Sequence, residues 1–358
     1  MHVFFTLSRR DQLIFGLLCF GCFIVSFNVA AISAALPEIS EGLRLPDWQV
    51  AKLITYYLIP YGMGALIYAP MARFVTYKRI YVSAFIFFFL ANIICGMALN
   101  LQLMLWMRAL MGVAGSCAIP LGLMIIGELF QRNIRGRLVG LFFSHAFIAS
   151  ICGLICLAFF PWQMLFYVPG ALSLLLVIFI LLFHIQKLAV KHIGHINYFK
   201  IIHQPRVLKI LAFIFILSFL YHGVHKWYGI YLSQNYGMHK TSISSLVLLT
   251  VVAGMVGQNL GGYISDKSGR HTACYVGLLG LGLMTMCLKT MHPVFLLGLI
   301  MALIALFWTV GHNGISTTLT DFAHDYRPMI ASLNSSVRFI SGGLGFYVSQ
   351  FFVEKSFG

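Results

Sequence analysis

The sequence predicts an all-α membrane protein made of two related helical halves, and three observations lead to this fold class. Hydrophobic residues make up 60% of the 358 residues, charged residues make up 9%, and 32 residues are phenylalanine. A soluble domain cannot bury that much apolar surface. Apolar runs of roughly 19 to 28 residues recur along the chain, and inside lipid such runs must be helices, because only a helix pairs every backbone amide within its own segment. Finally, parts of the first half recur in the second.

Eleven such runs are predicted to span the membrane. They lie near 12–36, 50–71, 80–98, 101–128, 138–160, 162–185, 207–232, 242–264, 271–290, 293–319 and 329–353. Arg9 and Arg10 precede the first run, as they would in a signal peptide. That run is too long for a cleaved leader, so we interpret it as the first span.

The net charge of +15 is distributed unevenly between the loops. Of the 24 lysines and arginines, three lie deep inside predicted spans, and most of the others lie in loops or span ends on the side of the N-terminus. The opposite side holds only five: Arg44, Lys52, Lys240, Lys289 and Lys355. Because cytoplasmic loops carry the excess of basic residues, the pattern predicts a multi-pass protein of the bacterial plasma (inner) membrane with a cytoplasmic N-terminus. We therefore expect no nucleic-acid partner.

An internal repeat at an offset near 192 residues supports duplication of a six-helix unit. Phe130 and Arg135 correspond to Phe322 and Arg327, and the pair Phe159–Phe160 corresponds to Phe351–Phe352. The predicted domains are an N-terminal six-helix bundle over 1–185, a cytoplasmic linker over 186–206 and a C-terminal bundle over 207–358. The second bundle has five spans, so its twelfth helix is predicted to be missing, either by truncation or in an eleven-span protein.

One loop carries a recognisable motif between spans eight and nine. Gly262, Asp266, Lys267, Gly269 and Arg270 resemble the cytoplasmic signature G-x-x-x-D-R/K-x-G-R-R/K of the major facilitator superfamily. The resemblance implies two six-helix bundles around a central cavity lined by spans one, four, seven and ten. It also implies that these five residues form a conformational gating loop, whose charges pair in one state and separate in the other.

Other motifs agree less closely with the drug–proton antiporter branch of that superfamily. Asn28 stands where that branch commonly has an acid, seven residues before Ala35-Leu36-Pro37. The span-five antiporter motif ends in Leu154 in place of proline. The sequence is thus loosely similar to this branch, with degenerate antiporter motifs.

Ionisable residues inside the spans are candidates for function, because a charge at bilayer depth costs roughly 2.5–3.5 kcal/mol on insertion scales. The candidates for substrate binding or coupling are Asn28, Arg108, His145, His222, His225, Lys226, His312, Asn313 and Arg338. Histidine titrates near neutrality, so its side chains are the candidates for proton coupling.

No aspartate or glutamate lies well inside any predicted span, whereas three cations do. An anionic solute would offset the cost of those cations. We therefore expect a monomeric secondary transporter of an organic anion or polar metabolite, surrounded by lipid and without enzyme activity, cofactor or metal. The alternatives are a multidrug efflux proton antiporter and, in another class, a non-transporting membrane sensor or a truncated transporter relic.

Overall fold

The computed structural model describes residues 8–72, 74–182, 198–288, 293–319 and 327–356. Within these ranges the regular structure is helical and no strand occurs. The long helices are α1 (Arg9–Leu43), α2 (Asp47–Met71), α3 (Tyr77–Met97), α4 (Leu101–Leu129), α5 (Arg132–Phe159), α6 (Met164–Leu182), α7 (Pro205–Tyr236), α8 (Lys240–Lys267), α9 (Arg270–Cys287), α10 (Val294–Leu319) and α11 (Arg327–Ser356).

The predicted count of eleven spans is approximate. Among the described residues, 9 helical segments are both long and apolar enough to cross a membrane. The other two long helices, α9 and α11, lie where spans were predicted, but their mean hydropathy is lower than that of these nine segments. Several polar residues of α11, including Ser332, Ser336 and Ser341, are buried against other helices, so this helix does not need a fully apolar surface.

Two of the long helices are interrupted near the middle of the bundle. Helix α4 consists of Leu101–Gly115 and Ala118–Leu129, and the interruption precedes Pro120, which lacks the N–H that would bond back to the preceding turn. Helix α7 consists of Pro205–His225 and Tyr228–Tyr236, so Lys226 and Trp227 form its break.

We call α1–α6 the N half and α7–α11 the C half. In the N half, α1 packs on α5, α2 on α4 and α3 on α6, whereas in the C half α10 packs on both α8 and α9, and α7 on α11. The pairs that join the halves include α2 with α11, α5 with α8, α4 with α11, and α1 with both α7 and α8.

The periphery of the molecule is apolar. Phe87 and Leu90 on α3, and Leu279 and Leu283 on α9, are among the exposed large hydrophobic side chains. A surface of this kind suits lipid and not water, so the described fold is that of a multi-pass membrane protein.

The linker predicted over 186–206 is described only in part. Its residues up to 197, with His192 and His195, lie outside the described residues. The remainder forms a short helix, Tyr198–Ile202, whose Tyr198 hydroxyl donates to the carbonyl of Leu66 on α2 at 3.2 Å.

Candidate functional site

Arg108 is placed by the close approach of α4 to α2. Gly112, one turn further along α4, lies against the backbone of Tyr57 and Tyr61, where a Cβ atom would collide with the Tyr57 carbonyl. This approach lets the Arg108 Nε donate to the carbonyl of Leu53 at 3.2 Å, with its guanidinium 4.2 Å from the centre of the Tyr57 ring. The arginine is only 1% exposed.

A second close approach joins α2 of the N half to α11 of the C half. Gly62 lies against Ile340 and the Ser336 carbonyl, and Gly343 lies against Ile59. Because these glycines bring the helices together, the rings of Tyr61 and Phe339 come within 4.0 Å between their centres, tilted by 34°. This aromatic pair therefore bridges the two halves.

Arg338, beside Phe339 on α11, binds His312 of α10. Its Nη1 donates to His312 Nε2 at 2.8 Å, and its guanidinium lies 4.9 Å from the Phe339 ring. Arginine has no acceptor, so the histidine nitrogen accepts, and in this arrangement the ring is neutral with its proton on Nδ1. The His312 ring also stacks on Trp308 at 5.5 Å.

The two histidines of α7 point to different partners. His222 Nδ1 donates to the carbonyl of Ser218 at 2.9 Å. His225 Nε2 donates to the Thr250 hydroxyl of α8 at 3.4 Å, since that hydroxyl itself donates to a carbonyl of its own helix. Between the histidines and α10, Tyr221 stacks on Trp308 at 4.2 Å and on His225 at 4.7 Å.

Lys226 crosses from the C half to the N half. Its Nζ donates to the carbonyl of Val29 on α1 at 2.6 Å, and the residue is 3% exposed. It also lies within electrostatic range of Arg108 and His222. The break in α7 thus places a buried cation at the interface between the halves, where it interacts with the cation of α4.

Three sequence candidates lie apart from this group. Asn28 faces α6, where its Nδ2 lies 3.5 Å from the carbonyl of Leu165. His145 donates within α5 to the carbonyl of Leu141 at 2.8 Å, and Asn313 donates to the carbonyl of Gln258 on α8 at 3.1 Å. The structure therefore brings together Arg108, His222, His225, Lys226, His312 and Arg338.

Several donors of the buried group, and the acceptor His225 Nδ1, have no hydrogen-bond partner among the described residues. Arg108 Nη1, the Tyr57, Tyr61 and Tyr228 hydroxyls and Trp308 Nε1 are buried without a hydrogen-bond partner among the described residues. Among the carboxylates of the described residues, Glu128 alone falls within a span predicted from the sequence, at the last residue of 101–128, and it accepts from the Tyr77 hydroxyl at the far end of α4. The described residues also include no group of three or more His, Cys, Asp or Glu side chains that could hold a metal.

The halves are joined by polar contacts at the end of the bundle that carries Glu38. The Lys240 Nζ lies 3.2 Å from Glu38 Oε1, and the Gln234 Nε2 donates to Asp47 Oδ2 at 2.7 Å. Nearby, Gly229 of α7 lies against the backbone of Ser33 and Ala34 on α1.

A cavity of about 650 Å³ opens beside these contacts. Its lining includes Glu41, Arg44, Trp48 and Trp227. None of the buried cations Arg108, Lys226 and Arg338 is among its lining residues, although Trp227 directly follows Lys226.

The gating-loop candidates lie at the opposite end, where α8 meets α9. Asp266 is exposed and forms no ion pair with another described residue, whereas Lys267 Nζ donates to the Tyr263 hydroxyl at 3.1 Å. Gly269 has φ 94°, a backbone conformation that favours glycine, so it makes the turn into Arg270 possible. Gly262 lies near Asn313 of α10.

Sequence reasoning missed most of the aromatic residues of the site. The candidates listed from the sequence do not include Tyr221, Trp308 or Phe339. Their spacing carried a signal, because each missed aromatic residue stands next to, or four residues from, a histidine or arginine that was a candidate.

Comparison with known proteins supports the family. A model of the Major Facilitator Superfamily matches residues 18–346. The multidrug transporter protein MdtP of Bacillus subtilis (strain 168) is 29% identical over 180 residues, which are 48% of this chain and 32% of that protein. The riboflavin transporter RibZ of Clostridioides difficile (strain 630) is 22% identical over 162 residues, which are 44% of this chain and 36% of that protein. The chain matches about a third of the length of these two relatives.

A solved structure shows the same fold. The bacterial homologue of the human lysosomal transporter Spinster, in an inward-facing and unoccupied conformation, superposes with a TM-score of 0.80, covering 95% of this chain and 82% of that one at 15% identity. At this identity the likeness shows the fold alone. Because the family model extends over most of the chain and the helical fold agrees with it, the chain belongs to the Major Facilitator Superfamily.

Proposed function

We propose that this protein is a secondary active transporter that carries a small organic anion across the membrane by alternating access. The observation that supports this most strongly is the set of three buried cations. Arg108 comes from the N half and Lys226 and Arg338 from the C half, and none of them forms an ion pair with a carboxylate among the described residues.

The energetics favour an anionic ligand at this position. Removing a single ion from water costs several kcal/mol even after relaxation, and hydrogen bonds to neutral groups offset only part of that cost. Arg108 and Lys226 have backbone carbonyls as partners and also repel each other. An anion placed between them would supply the missing counter-charge, whereas a cationic substrate would add to the repulsion.

The proposed cycle uses the contacts between the halves. With the N-terminus in the cytoplasm, the Glu38–Lys240 end faces outside, so the described arrangement is closed to the exterior. Outward opening requires that ion pair and the Lys226–Val29 bond to break. The gating loop around Asp266 would pair its charges in that second state. His222 and His312 are the groups proposed for proton coupling.

Thermal stability of the purified protein tests this proposal. The panel contains organic anions, sugars and lipophilic cations, and a ligand at 100 times its Kd should stabilise the protein by about 2.7 kcal/mol. We expect anions to raise the melting temperature of the wild type and of Lys209→Ala, in which an exposed cation is removed. The shift should be lost in Arg108→Ala. Equal stabilisation of Arg108→Ala would refute the role of that cation.

Multidrug efflux is the second candidate function, favoured by the relatives named as multidrug transporters. The aromatic residues at the interface would suit lipophilic compounds. The buried cations argue against lipophilic cations as substrates. Stabilisation by lipophilic cations, with none from anions, would establish this function over the first.

A further inference from the structure

We infer that the substrate is a planar aromatic anion, whose ring lies between Tyr61 and Phe339; this inference rests on the proposed anion transport. The two side chains belong to opposite halves, on α2 and α11, and their ring centres are 4.0 Å apart. When the halves separate, this pair separates with them. Its two faces then form a slot between the halves.

Two cations lie near this slot. Arg338 lies 4.9 Å from the Phe339 ring, and Tyr61 is 5.7 Å from Tyr57, whose ring lies 4.2 Å from Arg108. An anionic group on a ring in the slot would therefore lie next to the Arg338 guanidinium, while Arg108 adds positive charge from the other side of Tyr57. A guanidinium binds a carboxylate through two parallel hydrogen bonds, which suits a planar aryl carboxylate.

The unpartnered donors agree with such a ligand. Arg108 Nη1 and the hydroxyls of Tyr57 and Tyr61 are buried, and none has a hydrogen-bond partner among the described residues. Buried polar groups in folded proteins are nearly always paired. A carboxylate accepts hydrogen bonds at both oxygens, so it can satisfy several of these donors at once.

The aromatic surface continues into the C half. Contacts link Phe339 through Arg338 and His312 to Trp308, which stacks on Tyr221. Aliphatic side chains would bury apolar surface equally well, but aromatic faces favour a flat, conjugated ligand. The path from Arg108 to Trp308 therefore combines stacking surface with positive charge.

Three probes of similar size separate charge from planarity: benzoate, cyclohexanecarboxylate and benzamide. Binding to the full-length protein in detergent is measured by calorimetry. We expect benzoate to bind about fivefold tighter than either of the others, because stacking on two ring faces is lost in the puckered acid and charge pairing is lost in the amide. Equal binding of the two acids would overturn the planar slot and leave anion transport standing. Equal binding of benzoate and benzamide would overturn the proposed anion specificity instead.

Variants of Phe339 test the slot itself. Phe339→Tyr keeps the aromatic face and should keep the preference for benzoate over cyclohexanecarboxylate. In Phe339→Leu this preference should fall, so that the two acids bind with nearly equal affinity. Phe295→Leu removes an exposed ring far from the slot and controls for loss of a phenyl group. A fivefold preference that persists in Phe339→Leu would overturn the inference. The fold of each variant is checked by its melting temperature without ligand.

Discussion

Gly229 offers the sharpest test of how the two halves meet. A Cβ atom at this position would overlap the Ser33 carbonyl and lie 3.0 Å from the Ala34 Cα. Both neighbours are backbone atoms, so no rotamer change can make room. Overpacking of this kind costs about 1–3 kcal/mol. This cost falls only on the state in which α1 and α7 touch. Gly229→Ala should therefore shift the equilibrium by about 5- to 150-fold towards the state in which the halves are separated at the Glu38–Lys240 end.

Hydrogen exchange measured by mass spectrometry reports this shift. We expect faster exchange in Gly229→Ala for peptides at the Glu38–Lys240 end, and slower exchange at the α8–α9 turn, where the gating loop would pair its charges in the second state. Gly282→Ala is the matched control, because a Cβ atom there meets nothing within 4 Å. Unchanged exchange at the Glu38 end in Gly229→Ala, or an equal increase in Gly282→Ala, would mean that the contact of Gly229 with α1 does not control the separation of the halves at this end.

Three further predictions concern single contacts. Lys226→Met should weaken anion binding by about tenfold or more, measured by calorimetry, because the loss of a charged group that hydrogen-bonds at the interface is worth about 1.5–3 kcal/mol; unchanged affinity would exclude Lys226 from the site. Glu38→Gln should raise exchange at the Lys240 end by no more than about fivefold, and only at low salt, since a partly exposed ion pair contributes about 0.2–1 kcal/mol. Pro120→Ala should slow exchange at the break in α4, because alanine restores the missing N–H, and unchanged exchange would mean that another contact causes the break.

The sequence was sufficient to predict the helices and the buried cations. Hydropathy located the spans because the polar backbone groups of a segment inside lipid must be hydrogen-bonded, and a helix pairs them within the segment itself. Helices α9 and α11 were predicted as spans but have a lower mean hydropathy than the other nine segments. For α11 the reason is that it buries its serines against α2 and α7 instead of facing lipid along its length. Arg108, Lys226 and Arg338 stood out because charged residues are rare inside spans.

The partners of those cations could not be predicted from the sequence. Lys226 and Val29 are 197 residues apart, and their bond depends on how α1 and α7 approach each other at Gly229. Asn28, one residue before Val29, faces α6 instead of the interface. Periodicity shows which residues share a helix face, but the rotation of that face towards a neighbour is set by close contacts between distant segments.

We propose that the buried cations bind an anion and that the protein then carries this anion across the membrane. Counterflow in proteoliposomes tests both parts at once, with labelled benzoate outside and excess unlabelled benzoate inside. We expect saturable accumulation of label by the wild type and by Lys209→Ala, and its loss in Arg108→Ala. Tight benzoate binding in detergent without counterflow in the wild type would contradict transport and would instead support a non-transporting membrane sensor.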